Sequence, residues 1–127
     1  LKYFNVYGPN EYHKKHMASM VFKMMQKAKS DRVIQLYKSN DPAFEDGGQK
    51  RDFIYVKDAV RMTCAFLEPE YRSIGGLFNV GQGIATTWNE LARALFDALG
   101  LETNIQYIDM PPALVGQYQN YTCADMR

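Results

Sequence analysis

The first nine residues, Leu1–Pro9, form a run of alternating aromatic and aliphatic side chains that ends in Gly-Pro. Alternation with a period of two predicts a β-strand, and a strand at the start of a chain needs neighbours to satisfy its backbone groups. The opposite end, 124–127, stops on a polar loop without a Gly or Pro turn. We therefore expect both ends to be cuts in a longer polypeptide, and the first strand to belong to a sheet.

Strand-like and helix-like segments alternate along the rest of the sequence. Strands are predicted at 33–37, 53–56, 77–80 and 105–108, with a helix before the first of them and a helix after the second and the third. The first helix carries an apolar face that we interpret as core, made of Met17, Met20, Val21, Met24, Met25 and Ala28. This order of elements predicts an α/β fold.

Two further helices carry local signals at their ends. Asp58 is the expected N-terminal cap of a helix over about 58–67, in which Cys64 packs on an apolar face with Val60 and Leu67. The spacing from Thr87 to Glu90 is that of a capping box, and Gly100 ends that helix. Its predicted buried stripe consists of Trp88, Leu91, Ala92, Leu95, Phe96 and Leu99. The tail over 111–127 is rich in Tyr, Gln and Asn and predicts a surface loop.

Composition excludes several classes of protein. The net charge of +1 argues against bulk binding of nucleic acid, and no apolar run is long enough to cross a bilayer. The only cysteines, Cys64 and Cys123, are too few for a disulfide framework or a zinc site. A reducing, cytoplasmic setting is the expectation that follows.

Gly81-Gln82-Gly83 lies after a predicted strand and before a predicted helix, where backbone amides can bind phosphate. Thr86 stands where the dinucleotide fingerprint has its third glycine, so the pattern favours a plain tight turn. None of the nine tyrosines is followed four residues later by Lys, the acid/base pair of short-chain dehydrogenases. Both missing motifs would belong to an N-terminal half.

Charged clusters leave alternatives open. His13-Lys14-Lys15-His16 is compatible with a metal-ligand pair, although its lysines disfavour a dication. The interpretations that the sequence favours over a metal site are phosphate contacts, a lysine base whose pKa is lowered by burial, and exposed charge. Arg51 could clamp a pyrophosphate through two parallel hydrogen bonds or pair with Asp52 or another carboxylate nearby.

Three strings resemble extended short-chain dehydrogenases that act on nucleotide sugars, the NAD-dependent epimerase/dehydratase family. They are Tyr-Phe-Asn-Val-Tyr-Gly-Pro at 3–9, Arg-Asp-Phe-Ile-Tyr-Val-Lys-Asp at 51–58 and Phe-Asn-Val-Gly-Gln-Gly at 78–83. Longer strings at 10–19 and 116–125 are similar to members that epimerise an ADP-sugar. The resemblance covers the whole chain but only the C-terminal part of such an enzyme.

The resemblance implies the last strands of a Rossmann-type parallel sheet together with a small α/β substrate-binding domain. Residues 1–9 would be a strand of the dinucleotide-binding domain, and 10–127 mainly the substrate domain, with segments near 53–83 returning to the first. It also implies NADP, bound mainly by the missing half, an ADP-sugar substrate and a homo-oligomer. We expect the 127 residues alone to be inactive.

The resemblance further implies roles for individual residues. Lys14 would be a catalytic acid/base that also contacts the cofactor, and Val6 would touch the nicotinamide end of NADP. The expected substrate contacts are Asn5, His16, Lys23, Tyr37, Lys38, Ser39, Asn40, Arg51 and Tyr118.

Two other functions stay open at the level of the sequence. One is a different enzyme of the same family, such as a UDP-hexose 4-epimerase or a dehydratase, and the other is a non-catalytic module that binds sugar nucleotides. A binding module should hold a nucleotide sugar tightly without NADP, whereas an isolated part of an enzyme should bind it weakly or not at all.

Overall fold

The computed structural model describes residues 1–127 and has the predicted mixed α/β architecture. The strands are Lys2–Tyr3 (β1), Asn5–Tyr7 (β2), Ile34–Tyr37 (β3), Lys50–Tyr55 (β4), Asn79–Val80 (β5), Ala85–Thr87 (β6) and Ile105–Ile108 (β7). The helices are Met20–Asp31 (α1), Val56–Ala65 (α2), Trp88–Leu99 (α3) and Pro112–Val115 (α4), with 3-10 turns at Tyr12–Met17 and Pro69–Tyr71. None of these helices is long and apolar enough to span a lipid bilayer.

The strands pair mostly in parallel, as expected when helices connect them. β1 pairs with β5 and β2 pairs with β4, both in parallel, while β4 also pairs with β6 in the antiparallel direction. β3 and β7 form a separate parallel pair. The first seven residues thus bind two segments that lie far along the chain, around 53–55 and 79–80.

Two hydrophobic clusters divide the core. The larger one is formed where α1 and α3 pack on the β3–β7 pair, around the fully buried Phe96 and Ile34. The smaller one contains Ile54, Ala59 and Val80, against which Val6 packs from β2. β4 contributes Ile54 to the smaller cluster, and its residues Asp52, Phe53 and Ile54 are buried.

A buried carboxylate joins three separated segments. Asp52 on β4 has no exposed surface, and its two oxygens accept hydrogen bonds from the backbone N–H groups of Gln82, Gly83 and Ala124 at 2.8 to 3.1 Å. Its own backbone carbonyl accepts a hydrogen bond from the side chain of Asn5. A buried charge is tolerated when hydrogen bonds satisfy it, so Asp52 fixes the turn at 81–83 and the C-terminal tail to the sheet.

The Gly81–Gly83 segment is a tight turn, as the sequence favoured, and its free amides bind Asp52. The helix that follows it begins at Trp88, and the short strand β6 lies between the turn and that helix. A Cβ at Gly81 would lie 2.6 Å from the Ala124 side chain and 2.7 Å from Asp52 Oδ2. Glycine is therefore required there so that the turn can approach the carboxylate.

Several local predictions around the helices were wrong. The second helix begins at Val56, not at a cap on Asp58, and Asp58 instead pairs with Arg61 at 3.0 Å. Val60, Cys64 and Leu67 are exposed, because the opposite side of α2, around Ala59, packs on the sheet. Met17 is also exposed, since the first helix starts only after the cap at Ser19.

The signals around the third helix were right. The Thr87 side chain accepts a hydrogen bond from the Glu90 backbone N–H, and the Glu90 carboxylate accepts from the Thr87 backbone N–H. Gly100 ends the helix in the left-handed conformation, with φ of 64°. This double cap fixes the start of α3 and therefore the position of its first residue, Trp88.

Replacing Asp52 should destabilise the fold strongly. Asp52→Ala removes a buried carboxylate that accepts three backbone N–H hydrogen bonds, so the free energy of unfolding should fall by about 3 kcal/mol or more. Asp97→Ala, at an exposed position of α3, should change it by less than about 0.5 kcal/mol. Urea denaturation of both variants measures the difference, and equal small losses would show that Asp52 is not the anchor.

Candidate functional site

A cavity of about 670 Å³ lies between α1, strands β3 and β4, and the C-terminal tail. Its walls are mostly apolar and include Met20, Met24 and Leu36, and its polar groups converge near Arg51. A concave, largely apolar pocket with a few convergent polar groups is typical of a small-molecule site. A second cavity of about 480 Å³, between α2 and residues 125–127, is lined mainly by apolar side chains.

The guanidinium of Arg51 is the half-buried cation of the larger cavity. Its Nη1 donates a 2.8 Å hydrogen bond to the Lys50 carbonyl, and its carbon lies 5.1 Å from the ring centre of Tyr118 and 5.8 Å from that of Trp88. Burial lowers the pKa of Arg51, while Tyr118 opposes the shift. Arginine still keeps its charge near neutral pH. The side chain is thus a cation held between aromatic rings.

No carboxylate forms an ion pair with Arg51. Of the two alternatives that the sequence left open, pairing with Asp52 is wrong, because that carboxylate is used by the turn at 81–83 and by the tail. Neighbouring residues of a strand point to opposite faces, so Arg51 faces the cavity while Asp52 faces the interior. Arg51 is left able to bind an anion that enters the cavity.

Tyr118 reaches the cavity from the tail and is held there by two aromatic neighbours. The Trp88 Nε1–H donates a 2.9 Å hydrogen bond to the Tyr118 hydroxyl oxygen, and the ring of Tyr37 meets that of Tyr118 edge to face at 6.2 Å. Burial raises the pKa of Tyr118, and the nearby Arg51 charge opposes this rise. The phenol therefore enters the site in its neutral form.

Other charges around the cavity add to a positive potential. Lys23 and Lys27 of α1 both line it, and Asp31 is its one carboxylate. The Lys27 Nζ pairs with Asp31 at 2.8 Å, while the Lys23 Nζ donates a 2.6 Å hydrogen bond to the backbone carbonyl of His16. Lys23 and Arg51 thus remain as cations without a carboxylate partner, which favours an anionic ligand.

The structure brings together five of the expected substrate contacts. Those that line the cavity are Asn5, Lys23, Tyr37, Arg51 and Tyr118. They come from four different parts of the chain: β2, α1, the β3–β4 region and the tail.

Three expected contacts lie outside the cavity lining, in the loop after β3. Lys38 pairs with Asp109 at 2.9 Å, and the Ser39 hydroxyl donates to the carbonyl of Asp41. The Asn40 side-chain amide donates to the Val115 carbonyl in α4. In this structure these side chains connect the loop to neighbouring segments and do not face the cavity.

The remaining expected residues also lie outside the lining. Lys14 is exposed in the first 3-10 turn, with its Nζ 3.7 Å from the carboxylate of Glu11. Although burial by itself raises the pKa of Glu11, hydrogen bonds from Ser19 and Gly8, together with Lys14, hold that pKa below its usual value. The same turn leaves the side chain of His16 exposed.

Val6, the expected nicotinamide contact, is partly buried on β2 and packs against the smaller cluster. No group of three or more His, Cys, Asp or Glu side chains lies close enough to hold a metal ion, and this includes the region of His13 and His16.

Sequence analysis missed some residues of the site. Trp88 was interpreted only as part of a buried helical stripe, and Met20 and Met24 only as core, yet all three line the cavity. The capping box at Thr87 was the one available signal for Trp88, because it places that residue at the exact start of a helix next to a strand end. Nothing local indicates that β4 and the tail meet there.

Comparison with known proteins identifies relatives of the whole chain. The profile described as the NAD dependent epimerase/dehydratase family matches residues 1–81. The ADP-L-glycero-D-manno-heptose-6-epimerase of Nitratidesulfovibrio vulgaris is 49% identical over 126 residues, which are 99% of this chain and 38% of that protein. The protein of the same name from Fusobacterium nucleatum is 41% identical over 96% of this chain and 38% of its own length.

Solved structures of epimerases are also similar to this chain. The crystal structure of ADP-L-glycero-D-manno-heptose-6-epimerase from Helicobacter pylori is 32% identical, with a TM-score of 0.69 over 85% of this chain and 31% of that one. UDP-N-acetylglucosamine 4-epimerase from Methanobrevibacter ruminantium, in complex with UDP-N-acetylmuramic acid, is 27% identical, with a TM-score of 0.76 over 98% of this chain and 36% of that one. The chain spans 38% of the length of the first curated relatives.

The phenol of Tyr118 should lose its proton at a higher pH than an ordinary tyrosine does. Burial raises the pKa of Tyr118 above the ordinary value of 10.0. The contribution of the neutral phenol to folding stability is therefore fully present below about pH 10, and it is lost as the pH rises through the pKa of Tyr118 in the folded protein. The difference in phenolate absorbance between the wild type, with nine tyrosines, and Tyr118→Phe isolates this group. A midpoint above pH 10 is expected, and one at or below pH 10 would contradict the burial of Tyr118.

Proposed function

The chain belongs to the NAD dependent epimerase/dehydratase family, and from that premise we propose that it is the C-terminal part of an ADP-L-glycero-D-manno-heptose 6-epimerase. The complete enzyme would interconvert the D-glycero and L-glycero forms of ADP-manno-heptose at C6, for the inner core of lipopolysaccharide. The identity of 49% to a protein of that name, over nearly the whole chain, supports this choice over other members of the family.

The observation that carries the proposal is the state of Arg51. A half-buried guanidinium without a carboxylate partner, in a cavity of about 670 Å³, is suited to a group with several negative oxygens. The diphosphate of a nucleotide sugar is such a group. Tyr118 and Lys23 line the same cavity and can add a neutral donor and a second positive charge.

We also propose the division of the chain that the family resemblance implies. Residues 1–9 and segments near 53–83 would belong to the dinucleotide-binding domain, and the rest mainly to the substrate domain. The parallel pairing of β1 and β2 with 79–80 and 53–55 supports the first group, as does the separate cluster of Ile54, Ala59 and Val80. The larger cluster of α1, α3, β3 and β7 supports the second.

NADP is the expected cofactor, and when bound it would supply the acceptor and donor of hydride at the sugar carbon. Val6 would contact its nicotinamide end from β2. The Gly81–Gly83 turn does not fit the pyrophosphate of the cofactor, because its amides already bind Asp52. The residues that hold that pyrophosphate would therefore lie outside 1–127.

Lys14 would handle the proton of the sugar hydroxyl. Its Nζ would accept the proton as the hydroxyl is oxidised and return it as the carbonyl is reduced. Inversion presents the hydroxyl from two directions, so a second acid/base from the rest of the enzyme would act opposite Lys14. The Glu11 carboxylate, 3.7 Å from the Lys14 Nζ, would help to orient that group toward the sugar.

The other expected substrate contacts remain part of the proposal. Lys38, Ser39 and Asn40 would approach the nucleotide, and His16 would lie near the sugar, once the complete enzyme closes around its substrate. Homo-oligomers are expected, as in the family that the sequence resembles.

The proposal is tested by assaying the polypeptide that the complete reading frame encodes. Purified protein with NADP should interconvert the two ADP-heptose epimers, and anion-exchange chromatography of the products would measure this. UDP-hexose should be turned over much more slowly. Epimerisation or dehydration of UDP-sugars in preference to ADP-heptose would assign the chain to another branch of the family, and tight binding of ADP-heptose without turnover would indicate a binding module.

Removing the guanidinium should weaken substrate binding. In the complete enzyme, Arg51→Met should raise KM for ADP-heptose by about 10-fold to 100-fold, because a charge-assisted hydrogen bond to phosphate is lost in ground state and transition state alike. The value of kcat should change far less. Lys29→Met, which removes an exposed cation from the last turn of α1, is the control and should leave KM unchanged. An unaltered KM in Arg51→Met would rule out this contact.

Replacing Lys14 should change kcat rather than KM. Lys14→Met should lower kcat by about 10²-fold to 10⁴-fold, the range for loss of a general acid/base, and should leave KM nearly unchanged. Steady-state kinetics with purified epimer measures both parameters. A variant that keeps the wild-type kcat would remove Lys14 from the chemistry.

A further inference from the structure

Trp88 is absent from the contacts that the family resemblance implies, yet its side chain touches both groups that would hold the anion. Its indole Nε1–H donates to the Tyr118 hydroxyl at 2.9 Å, and its ring lies beneath the Arg51 guanidinium. We propose that Trp88 is a positioning residue that aims the Tyr118 hydroxyl at a phosphate oxygen of the nucleotide sugar. This inference rests on the function proposed above.

The direction of the Trp88–Tyr118 hydrogen bond determines what the phenol can do. An indole N–H can only donate, so the phenol oxygen must accept and its own hydrogen is left free. No protein acceptor lies within hydrogen-bond distance of the Tyr118 hydroxyl. Since the side chain lines the cavity, that hydrogen is available to an acceptor on a ligand.

Arg51 completes a two-point donor site. Its guanidinium lies 5.1 Å from the centre of the Tyr118 ring, close enough for one anionic group to meet both side chains. Phosphate oxygens accept from a guanidinium and from a hydroxyl at once, whereas an ammonium or amide N–H group would meet only donors here. The arrangement therefore selects an anionic acceptor.

The position of Trp88 is itself fixed by the fold. The capping box at Thr87 sets the start of α3, the Trp88 backbone N–H donates to the carbonyl of Gln49, and the indole meets the ring of Phe53 edge to face at 5.2 Å. The tail that carries Tyr118 is exposed on both sides of that residue. The indole therefore holds the side chain of Tyr118, which belongs to a surface segment, against the fixed start of α3. Because that side chain is ordered before a ligand binds, the entropic cost of binding is lower.

The test follows the indole of Trp88, the only tryptophan of residues 1–127. In a ¹H–¹⁵N correlation spectrum of the polypeptide that the complete reading frame encodes, the Trp88 indole cross-peak is observed, and ADP at millimolar concentration is the probe. Tyr118→Phe should shift that peak without ligand, because the acceptor is removed. Titration with ADP should shift it in the wild type and no longer do so in Tyr118→Phe.

Tyr107→Phe is the matched control. The Tyr107 hydroxyl donates a hydrogen bond of the same length, 2.9 Å, to the side chain of Asn89, away from the cavity. Its loss should leave both the indole peak and the response of that peak to ADP unchanged.

Affinities from the backbone amide shifts give an independent measure. Trp88→Phe and Tyr118→Phe should each raise the dissociation constant of ADP by about threefold to tenfold, as expected for one hydrogen bond. The double variant should bind no more weakly than Tyr118→Phe alone, because the indole acts through the hydroxyl. A purely structural role for Trp88 would instead weaken the double variant further.

The outcomes separate this inference from the proposed function. Wild-type affinity in Trp88→Phe or in Tyr118→Phe, together with weakened binding in Arg51→Lys, would overturn the role of Trp88 and leave the nucleotide site in place. An ADP titration that moves no amide around the cavity in the wild type would overturn both. Tyr118→Phe removes a single oxygen atom, so it decides the question even if Trp88→Phe does not fold.

Discussion

The buried carboxylate of Asp52 is the interaction on which the arrangement of this chain depends. It accepts hydrogen bonds from backbone N–H groups of the turn at 81–83 and of Ala124. Backbone hydrogen bonds of Lys50 with Asn120 and Thr122 hold the preceding part of the tail to the same strand. The carboxylate also binds the amides of the Gly81–Gly83 turn, so that turn is a structural element and not a phosphate site.

The candidate site follows from the same strand. Because side chains alternate along β4, Asp52 points to the interior and Arg51 points into the cavity. The Asp52 carboxylate binds the turn at 81–83 and does not pair with the Arg51 guanidinium. The tail that Asp52 anchors at Ala124 also carries Tyr118, which reaches back over Arg51. Asp52 thus leaves Arg51 without a carboxylate partner and also helps to hold the tail that carries Tyr118.

The sequence correctly predicted features that depend on residues close to one another in the chain. Its predictions were wrong where contacts between distant segments determine the structure. The capping box at Thr87 was correct, because it involves residues only three positions apart. Asp58 was wrong as a cap and Cys64 as a buried residue, because the contact of α2 with the sheet sets both the helix start and its inner face. Arg51 was predicted as a ligand contact from its motif, whereas Trp88 required the meeting of a strand, a helix start and the tail.

The most direct test of this account is a crystal structure of the polypeptide encoded by the complete reading frame, with an ADP-sugar bound. We expect diphosphate oxygens within hydrogen-bond distance of the Arg51 guanidinium and of the Tyr118 hydroxyl, with the Trp88 indole still donating to that hydroxyl. A diphosphate bound elsewhere, with Arg51 facing solvent or paired with a carboxylate, would contradict it.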